Sequence, residues 1–267
     1  MTASFRTLLV EEHSRPITTI VTVLHVGTLD DPPGKEGLAY LTAEMLMRGA
    51  GTWNQAALSD EIEFLGSTLS IDVGRWTTTV TGDALSRHLD AFQSVVHTIL
   101  ESPRFEESEF EQLKRQTAAD IVQVRENDNM LCQRFLVKQL YQDHSYGRPR
   151  KGTLDSLAAI TLEDVRQFFA IHYSRFNSLT AAAGDVSENR LRNYAEDILS
   201  HLPMERPPVQ NVAEVPEPSG IEAVVVDKPG RSQVPVIAGH STIHANHPDY
   251  LALFVAMSPS EVPSRHG

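Results

Sequence analysis

Cysteine is almost absent from this chain of 267 residues, which contains only Cys132. A single thiol cannot form an internal disulfide, and it excludes a zinc site built from several cysteines. Cys132 lies in a helical pattern of apolar residues. We therefore expect it to be a small buried hydrophobic residue rather than a reactive thiol.

Long apolar runs are also missing, since none approaches the roughly 20 residues that a membrane-spanning helix needs. The N-terminus, from Met1 to Arg6, has no apolar core of a signal peptide. Taken as written, the sequence predicts a cytoplasmic protein. A start codon assigned too far downstream would remove a signal peptide, so a periplasmic location stays open.

Positive charge is scarce. The chain has 23 Lys and Arg residues against 35 Asp and Glu, a formal net charge of −12. This balance argues against a nucleic-acid-binding protein, which would need cations for the phosphates. A phosphate-binding loop is excluded as well, because Gly147 and Gly152 do not follow a strand and lack the Gly-Lys-Ser/Thr signature.

Hydrophobic residues make up 41% of the chain, enough for a packed core. Segments rich in Val, Ile and Thr predict strands, and apolar residues three and four positions apart predict helices. The fold class is therefore α+β, with a mixed β-sheet. The predicted strands cover 8–10, 17–26, 68–73, 76–81 and 178–184; the predicted helices cover 38–49, 58–65, 85–100, 106–125, 130–141, 161–169 and 188–202.

Prolines cluster in one part of the chain and predict a linker over residues 203–220. Its prolines are Pro203, Pro207, Pro208, Pro216 and Pro218. Beyond it, the pattern predicts strands at 221–227 and 234–239 and the start of a helix at 250–257. We divide the chain into an N-terminal α+β domain (1–202), the linker, and the incomplete beginning of a second, similar α+β domain (221–267).

Several motifs occur in the order typical of one family. They are the helix frame 37–49, Leu65-Gly66 before the hairpin, Tyr146-Gly147-Arg148-Pro149 with Gly152-Thr153, Phe168-Phe169 with Tyr173, Asn177 and Gly184-Asp185, and, past the linker, Lys228-Pro229-Gly230, Gln233, Gly239 and Pro248-Asp249-Tyr250. Together they resemble the pitrilysin/insulinase family of zinc peptidases, which includes mitochondrial processing peptidase. The resemblance implies a mixed sheet with helices packed on one face. It also implies that two such units enclose a substrate chamber.

The family's catalytic motif is His-x-x-Glu-His on the first of these helices, with a carboxylate on a later helix as third zinc ligand. Helical spacing lets the two imidazoles meet one zinc ion, and the intervening Glu acts as the base. By resemblance, Tyr40 and Glu44 occupy the histidine positions, Ala43 occupies the Glu position, and Asp120 approximately matches the third ligand.

This substitution pattern predicts that the chain has no catalytic residue, metal site or zinc cofactor of its own. A phenol with a pKa of about 10 is a poor zinc ligand at neutral pH, and Ala43 cannot accept a proton. An ordinary structural role for Tyr40 and Glu44, at a core edge and on a solvated helix, is the simplest interpretation. Residues that shape a chamber shared with a partner are the alternative.

The predicted function is that of an inactive homologue that partners a zinc-motif subunit of the same family and helps to enclose and bind a peptide substrate. The alternatives are a stand-alone peptide-binding module, which would use exposed strand edges, and a divergent metallopeptidase. The resemblance places a substrate-binding Arg/Tyr pair in the second half, which this chain lacks. We therefore expect a C-terminal truncation, by an early stop or a frameshift.

Three other groups of residues carry weaker functional patterns. His240, His244 and His247 have metal-ligand spacing but precede Pro248, which favours a solvated loop. Cys132, Asp143, His144 and His172 could form a catalytic set only if the fold brought them together. Arg148, Arg150 and Lys151 form a small basic patch, for which we also expect a solvated loop.

Overall fold

The computed structural model describes residues 5–176, 178–208, 212–215, 220–230 and 233–257. Of the residues named above, Met1, Asn177, Pro216, Pro218 and the end of the chain from residue 258 lie outside the described part.

The strands of the described part form a five-stranded sheet and a two-stranded ribbon. The sheet has the order β1-β7-β2-β6-β5, and the ribbon pairs β3 with β4. The strands are β1 (Arg6–Glu11), β2 (Ile17–Leu24), β3 (Gly49–Ala50), β4 (Trp53–Asn54), β5 (Thr68–Val73), β6 (Thr78–Leu85) and β7 (Leu179–Gly184).

Helices connect these strands, and side-chain caps begin several of them. Asn54, Asn127, Thr153 and Thr161 each accept a backbone N–H of the helix that follows. The helices are α1 (Leu38–Leu46), α2 (Gln55–Phe64), α3 (Leu89–Glu101), α4 (Glu107–Glu126), α5 (Asp128–Tyr141), α6 (Leu154–Ala159), α7 (Leu162–His172), α8 (Glu188–Leu199) and α9 (Tyr250–Met257).

In the described part of the chain, helices cover one face of the sheet. Alternate residues of β2, from Thr18 to Leu24, are buried, and their neighbours on the other face are partly exposed. The same alternation runs through β6. On the open face the Thr19 hydroxyl donates a hydrogen bond of 2.6 Å to Asp83. The predicted α+β class, with helices on one face of a mixed sheet, is therefore confirmed.

Strand β7 lies at the interior of the sheet although it comes late in the chain. It pairs parallel with β1, with Arg6 opposite Leu179, and antiparallel with β2, with Thr18 opposite Gly184. The consecutive strands β1 and β2 are therefore not neighbours. The five-stranded sheet becomes continuous only when residues 179–184 pair with both of these strands.

Two predicted strands are wrong. Residues 221–227 and 234–239 form no strand, and several of their apolar side chains are exposed, including Ile221, Val225 and Val236. An extended segment with no neighbouring strand leaves its backbone groups unpaired within the protein, so local β-propensity is not enough. The predicted helix start at 250–257 coincides with α9.

The segment after the linker lies along α5 instead of forming a sheet. Lys228 Nζ donates to Asp128 Oδ1 at 2.5 Å and to the Arg125 carbonyl at 2.8 Å. Cys132 Sγ donates to the carbonyl of Pro235 at 3.6 Å. Cys132 is only partly buried, contrary to our expectation. No helix of the described residues combines the length and apolar character needed to cross a membrane.

Asp31 positions the start of α1. Its carboxylate accepts hydrogen bonds from the backbone N–H groups of Gly37 at 2.8 Å and Ala39 at 2.7 Å. Burial raises the pKa of Asp31 to about 7, and the two N–H donors only partly oppose this shift. The nearby charges of Asp30 and Glu36 raise the pKa further.

Gly184→Ala should destabilise the sheet by about 3–4 kcal/mol, because it combines backbone strain with overpacking. Gly184 has a φ of 125°, and a Cβ atom there would lie 2.1 Å from the carbonyl oxygen of Ile17. The free energy of unfolding, measured by urea titration, tests this. Gly34→Ala is the matched control, since Gly34 also has a positive φ of 82° but has open space around it. It should cost only about 1–2 kcal/mol, and equal losses would contradict the predicted clash.

Asp31→Asn should remove a pH dependence of stability. A carboxyl group whose pKa is raised from 3.8 to about 7 on folding binds protons more tightly in the folded protein. Its contribution is full at pH values below about 4 and is lost as the pH rises through about 7, at up to about 1.4 kcal/mol per pH unit. The variant should therefore lack this downward slope when the free energy of unfolding is measured across that range. The exposed Asp155→Asn should keep the wild-type slope, and an unchanged slope in Asp31→Asn would refute the assignment.

Candidate functional site

Helix α1 carries the residues that the sequence places at the family's metal site. Tyr40, Ala43 and Glu44 lie at positions i, i+3 and i+4 and therefore on one side of the helix. Ala43 is 1% exposed, while Tyr40 and Glu44 are partly exposed. The side of α1 that corresponds to the motif thus presents a phenol and a carboxylate beside a buried methyl group.

Contacts beyond both ends of α1 fix its position. Asp31 binds its first turn, as described above. After the last turn, the buried Arg48 pairs with Glu109 at 3.2 Å and donates to Gln116 at 2.5 Å, and both partners belong to α4. Because α4 also carries Asp120, this contact sets the distance between the two helices of the candidate site.

The loop before α6 packs against the residues that precede α1. Gly152 has a φ of 75°, and a Cβ atom there would lie 2.0 Å from the carbonyl oxygen of Glu36. The hydroxyl of Ser156 donates to the same carbonyl at 2.8 Å. The close approach of the two backbones requires glycine and brings Lys151 to the side of α1.

Lys151 connects the residues that the sequence assigns to the ligand positions. Its Nζ lies 2.5 Å from Asp120 Oδ2 and 5.2 Å from the centre of the Tyr40 ring. An ammonium group at this distance interacts favourably with both the carboxylate and the aromatic face. The fold therefore brings Tyr40 and Asp120 to the same protein cation.

The titration of these groups reflects their surroundings. Burial, and after it the charge of Glu44, raises the pKa of Tyr40, although Lys151 acts in the opposite direction. Burial lowers the pKa of Lys151, but the hydrogen bond with Asp120 and the charges of Tyr40 and Asp120 outweigh it, so that this pKa is raised. At neutral pH the phenol is thus neutral and the ammonium is charged.

The other candidate residues do not assemble into a site. Cys132 binds the carbonyl of Pro235, and His144 binds the carbonyl of Ala213 at 2.8 Å. His172 stacks on Phe168, with its ring centre 4.4 Å away. These separate partners give no nucleophile–base pair of the kind that a catalytic set needs.

The histidines at 240, 244 and 247 lie in an exposed segment, as expected. In the basic patch, Arg150 donates to the carbonyl of Val73 at 3.2 Å, and Lys151 pairs with Asp120. The patch is therefore partly committed to contacts within the protein rather than fully solvated.

Two features of the structure have no counterpart in the predictions from sequence. One is the role of Lys151, which no local pattern links to Asp120, 31 residues earlier. The other is a cluster of His97, Glu101 and His201, whose ligand-type atoms lie within 4.8 Å of one another. The spacing of His97 and Glu101 on one helix was a detectable signal, but His201 has no local sequence relation to them.

Two family models match the sequence. Residues 6–154 match the model described as Insulinase (Peptidase family M16), and residues 159–258 match the one described as Peptidase M16 inactive domain. The boundary between them falls before α7, so the five-stranded sheet takes β7 from the second matched region and its other strands from the first.

Curated relatives and solved structures agree with this match. An uncharacterized zinc protease of Rickettsia bellii is 22% identical over 67% of this chain and 44% of its own length. A non-peptidase homolog of Helicobacter pylori is 23% identical over 72% of this chain and 45% of its own. The chain thus spans less than half the length of these relatives.

A crystal structure described as the peptidase M16 inactive domain from Pseudomonas fluorescens has a TM-score of 0.76 at 23% identity. The match covers 81% of this chain and 53% of that one. The fold and the motif order therefore point to one family, and this chain belongs to the insulinase family of peptidases, peptidase family M16.

Proposed function

We propose that this chain is a non-catalytic member of its family that acts beside a zinc-bearing subunit and contributes to the enclosure and binding of a peptide substrate. The observation that carries the proposal is the position of Lys151, whose ammonium lies between Tyr40 and Asp120. A positive charge already pairs with the carboxylate that a zinc ion would need.

The donor set on α1 does not fit zinc. Zinc peptidases of this type use two imidazoles and a carboxylate, with a fourth position for water. Here the helix offers a phenol, whose raised pKa keeps its proton in place, and one carboxylate. We therefore expect no metal-assisted hydrolysis at this site.

A general base is missing as well. The motif position between the two ligand positions is Ala43, whose buried methyl group can neither accept nor donate a proton. Among the curated relatives, the Helicobacter pylori protein is named a non-peptidase homolog. That name supports the possibility of non-catalytic members within this family.

The division of the chain proposed from the sequence belongs to the same hypothesis. Residues 1–202 would supply one unit of the chamber, 203–220 the linker, and 221–267 the beginning of a second unit. The described sheet and helices α1 to α8 all lie between residues 6 and 199, which supports the first boundary, whereas the second family model runs from residue 159 to 258 across the linker.

A peptide-binding module is the second candidate function, and the edges of the sheet favour it. In the described sheet β1 pairs only with β7, and β5 pairs only with β6. Each edge strand therefore has one side on which an extended peptide could add a further strand. Binding of peptides by the isolated chain, with no zinc-motif partner, would distinguish this function from the first.

Activity measurements test the main proposal directly. The purified chain should hydrolyse no peptide, and a chelator should change nothing, because α1 provides no base and no metal site. A family member from the same genome that carries His-x-x-Glu-His should form a complex with it on co-expression and gain activity relative to that partner alone. Chelator-sensitive hydrolysis by the isolated chain would contradict the proposal.

Glu44→Gln and Asp120→Asn should leave the affinity of the chain for Zn²⁺ unchanged in calorimetric titrations. Both side chains are accessible, and the Lys151–Asp120 ion pair is partly exposed, so the variants should lose no more than about 1 kcal/mol of stability. A loss of zinc affinity in either variant would place a metal at the candidate site between α1 and α4 after all.

A further inference from the structure

A group of titratable side chains lies where α3 packs on α8, apart from the residues of α1. His97 and Glu101 are one helical turn apart near the end of α3, and His201 follows the end of α8. Their ligand-type atoms lie within 4.8 Å of one another, and this is the single group of three or more such residues found among the described residues.

The distances within the group match those of a coordination sphere. His97 Nε2 lies 3.2 Å from Glu101 Oε2, and His201 Nδ1 lies 3.4 Å from Glu101 Oε1. Two ligand atoms about 2.0–2.1 Å from a tetrahedral zinc ion are about 3.3 Å apart. Each imidazole nitrogen therefore already lies at the spacing of a neighbouring zinc ligand from one oxygen of the Glu101 carboxylate.

A second carboxylate, that of Asp197, lies on the side of the His97 ring that faces away from Glu101. Asp197 Oδ2 lies 3.1 Å from His97 Nδ1, without the angle of a hydrogen bond to that nitrogen, and accepts a hydrogen bond of 2.9 Å from the side chain of Gln93. A carboxylate that hydrogen-bonds the far nitrogen of a ligating imidazole fixes the ring's tautomer and increases its basicity. With that bond completed by a small turn of the ring, His97 Nε2, which faces Glu101, would be the nitrogen with a free lone pair.

We propose that His97, Glu101 and His201 bind a divalent transition-metal ion of the zinc type, with Asp197 as a positioning residue. Two imidazoles and one carboxylate are the ligand set that zinc favours, and the partly exposed edge of the cluster leaves the fourth position open to water. Two ligands come from α3 and one from the turn that follows α8, so the ion would fasten the end of α8 to α3.

This site is independent of the proposed function. It shares no residue with α1, and its ligands are distributed over both family matches, since His97 and Glu101 lie within residues 6–154 and His201 within 159–258. Its loss would leave the arrangement of Lys151 and Tyr40 unaltered.

Calorimetric titration of the full chain with Zn²⁺ alone, after removal of metals with a chelator, tests the proposal. We expect one equivalent to bind and to raise the melting temperature, because an ion bound only by the folded protein stabilises it. Glu101→Gln and His201→Asn should abolish this binding. Asp197→Asn should weaken it by about 10–100-fold, as expected for a residue that acts through the ligand His97.

The matched control is a triple variant in which His240, His244 and His247 are all replaced by Asn. It should bind zinc like the wild type. X-ray absorption at the zinc edge should report two imidazole ligands in the wild-type chain. Circular dichroism checks that each variant is folded. His201 and Glu101 are partly exposed, so their substitutions should disturb the fold least. Equal affinity in His201→Asn and the wild type, no binding by the wild type at millimolar Zn²⁺, or loss of binding in the triple control variant would overturn the assignment.

Discussion

The insertion of β7 between β1 and β2 is the interaction on which the rest of the structure depends. Without it the sheet would consist of an unpaired β1 and a three-stranded β2-β6-β5 unit. The helices that flank β7 would also lose their positions, since α7 packs on α1 and α8 packs on α3. The two regions matched by separate family models therefore share one sheet and one core, and neither forms a complete layer alone.

Charge pairing between side chains is the main feature of the candidate site. On the side of α1 that the resemblance assigns to the metal site, a protein cation holds Tyr40 and Asp120. Lys151 neutralises Asp120 and faces the ring of Tyr40, while the backbone contact between Gly152 and Glu36 holds its loop in place. A metal at this carboxylate would have to displace the ammonium group that already pairs with it.

Local patterns predicted much of the fold because several of its helices are amphipathic and others begin at a capping side chain. The apolar stripe at 85–100 corresponds to α3, and Thr161 begins α7 as a capping residue. The order of the strands could not be predicted, because β1, β2 and β7 offer similar apolar faces and nothing local specifies which pair forms. The strands at 221–227 and 234–239 were wrong for a related reason, since β-propensity without a partner strand does not make a sheet.

The residues of the candidate site were predictable only where they lie on one helix. Helical spacing was enough to name Tyr40, Ala43 and Glu44, because all three lie on one element. Lys151 and His201 could not be placed, since each reaches its partners through a contact between segments distant in the chain. Residues that act across an interface between elements are recognised only when the packing of those elements is known.

The exposure of the segment between Ile221 and Met257 has a consequence for the life of the protein in a cell. Ile221, Val225 and Leu251 are 101%, 91% and 73% exposed. Chaperones and quality-control proteases act on accessible apolar chain of this kind. A surface that covers these side chains would therefore also protect the segment from capture by such factors.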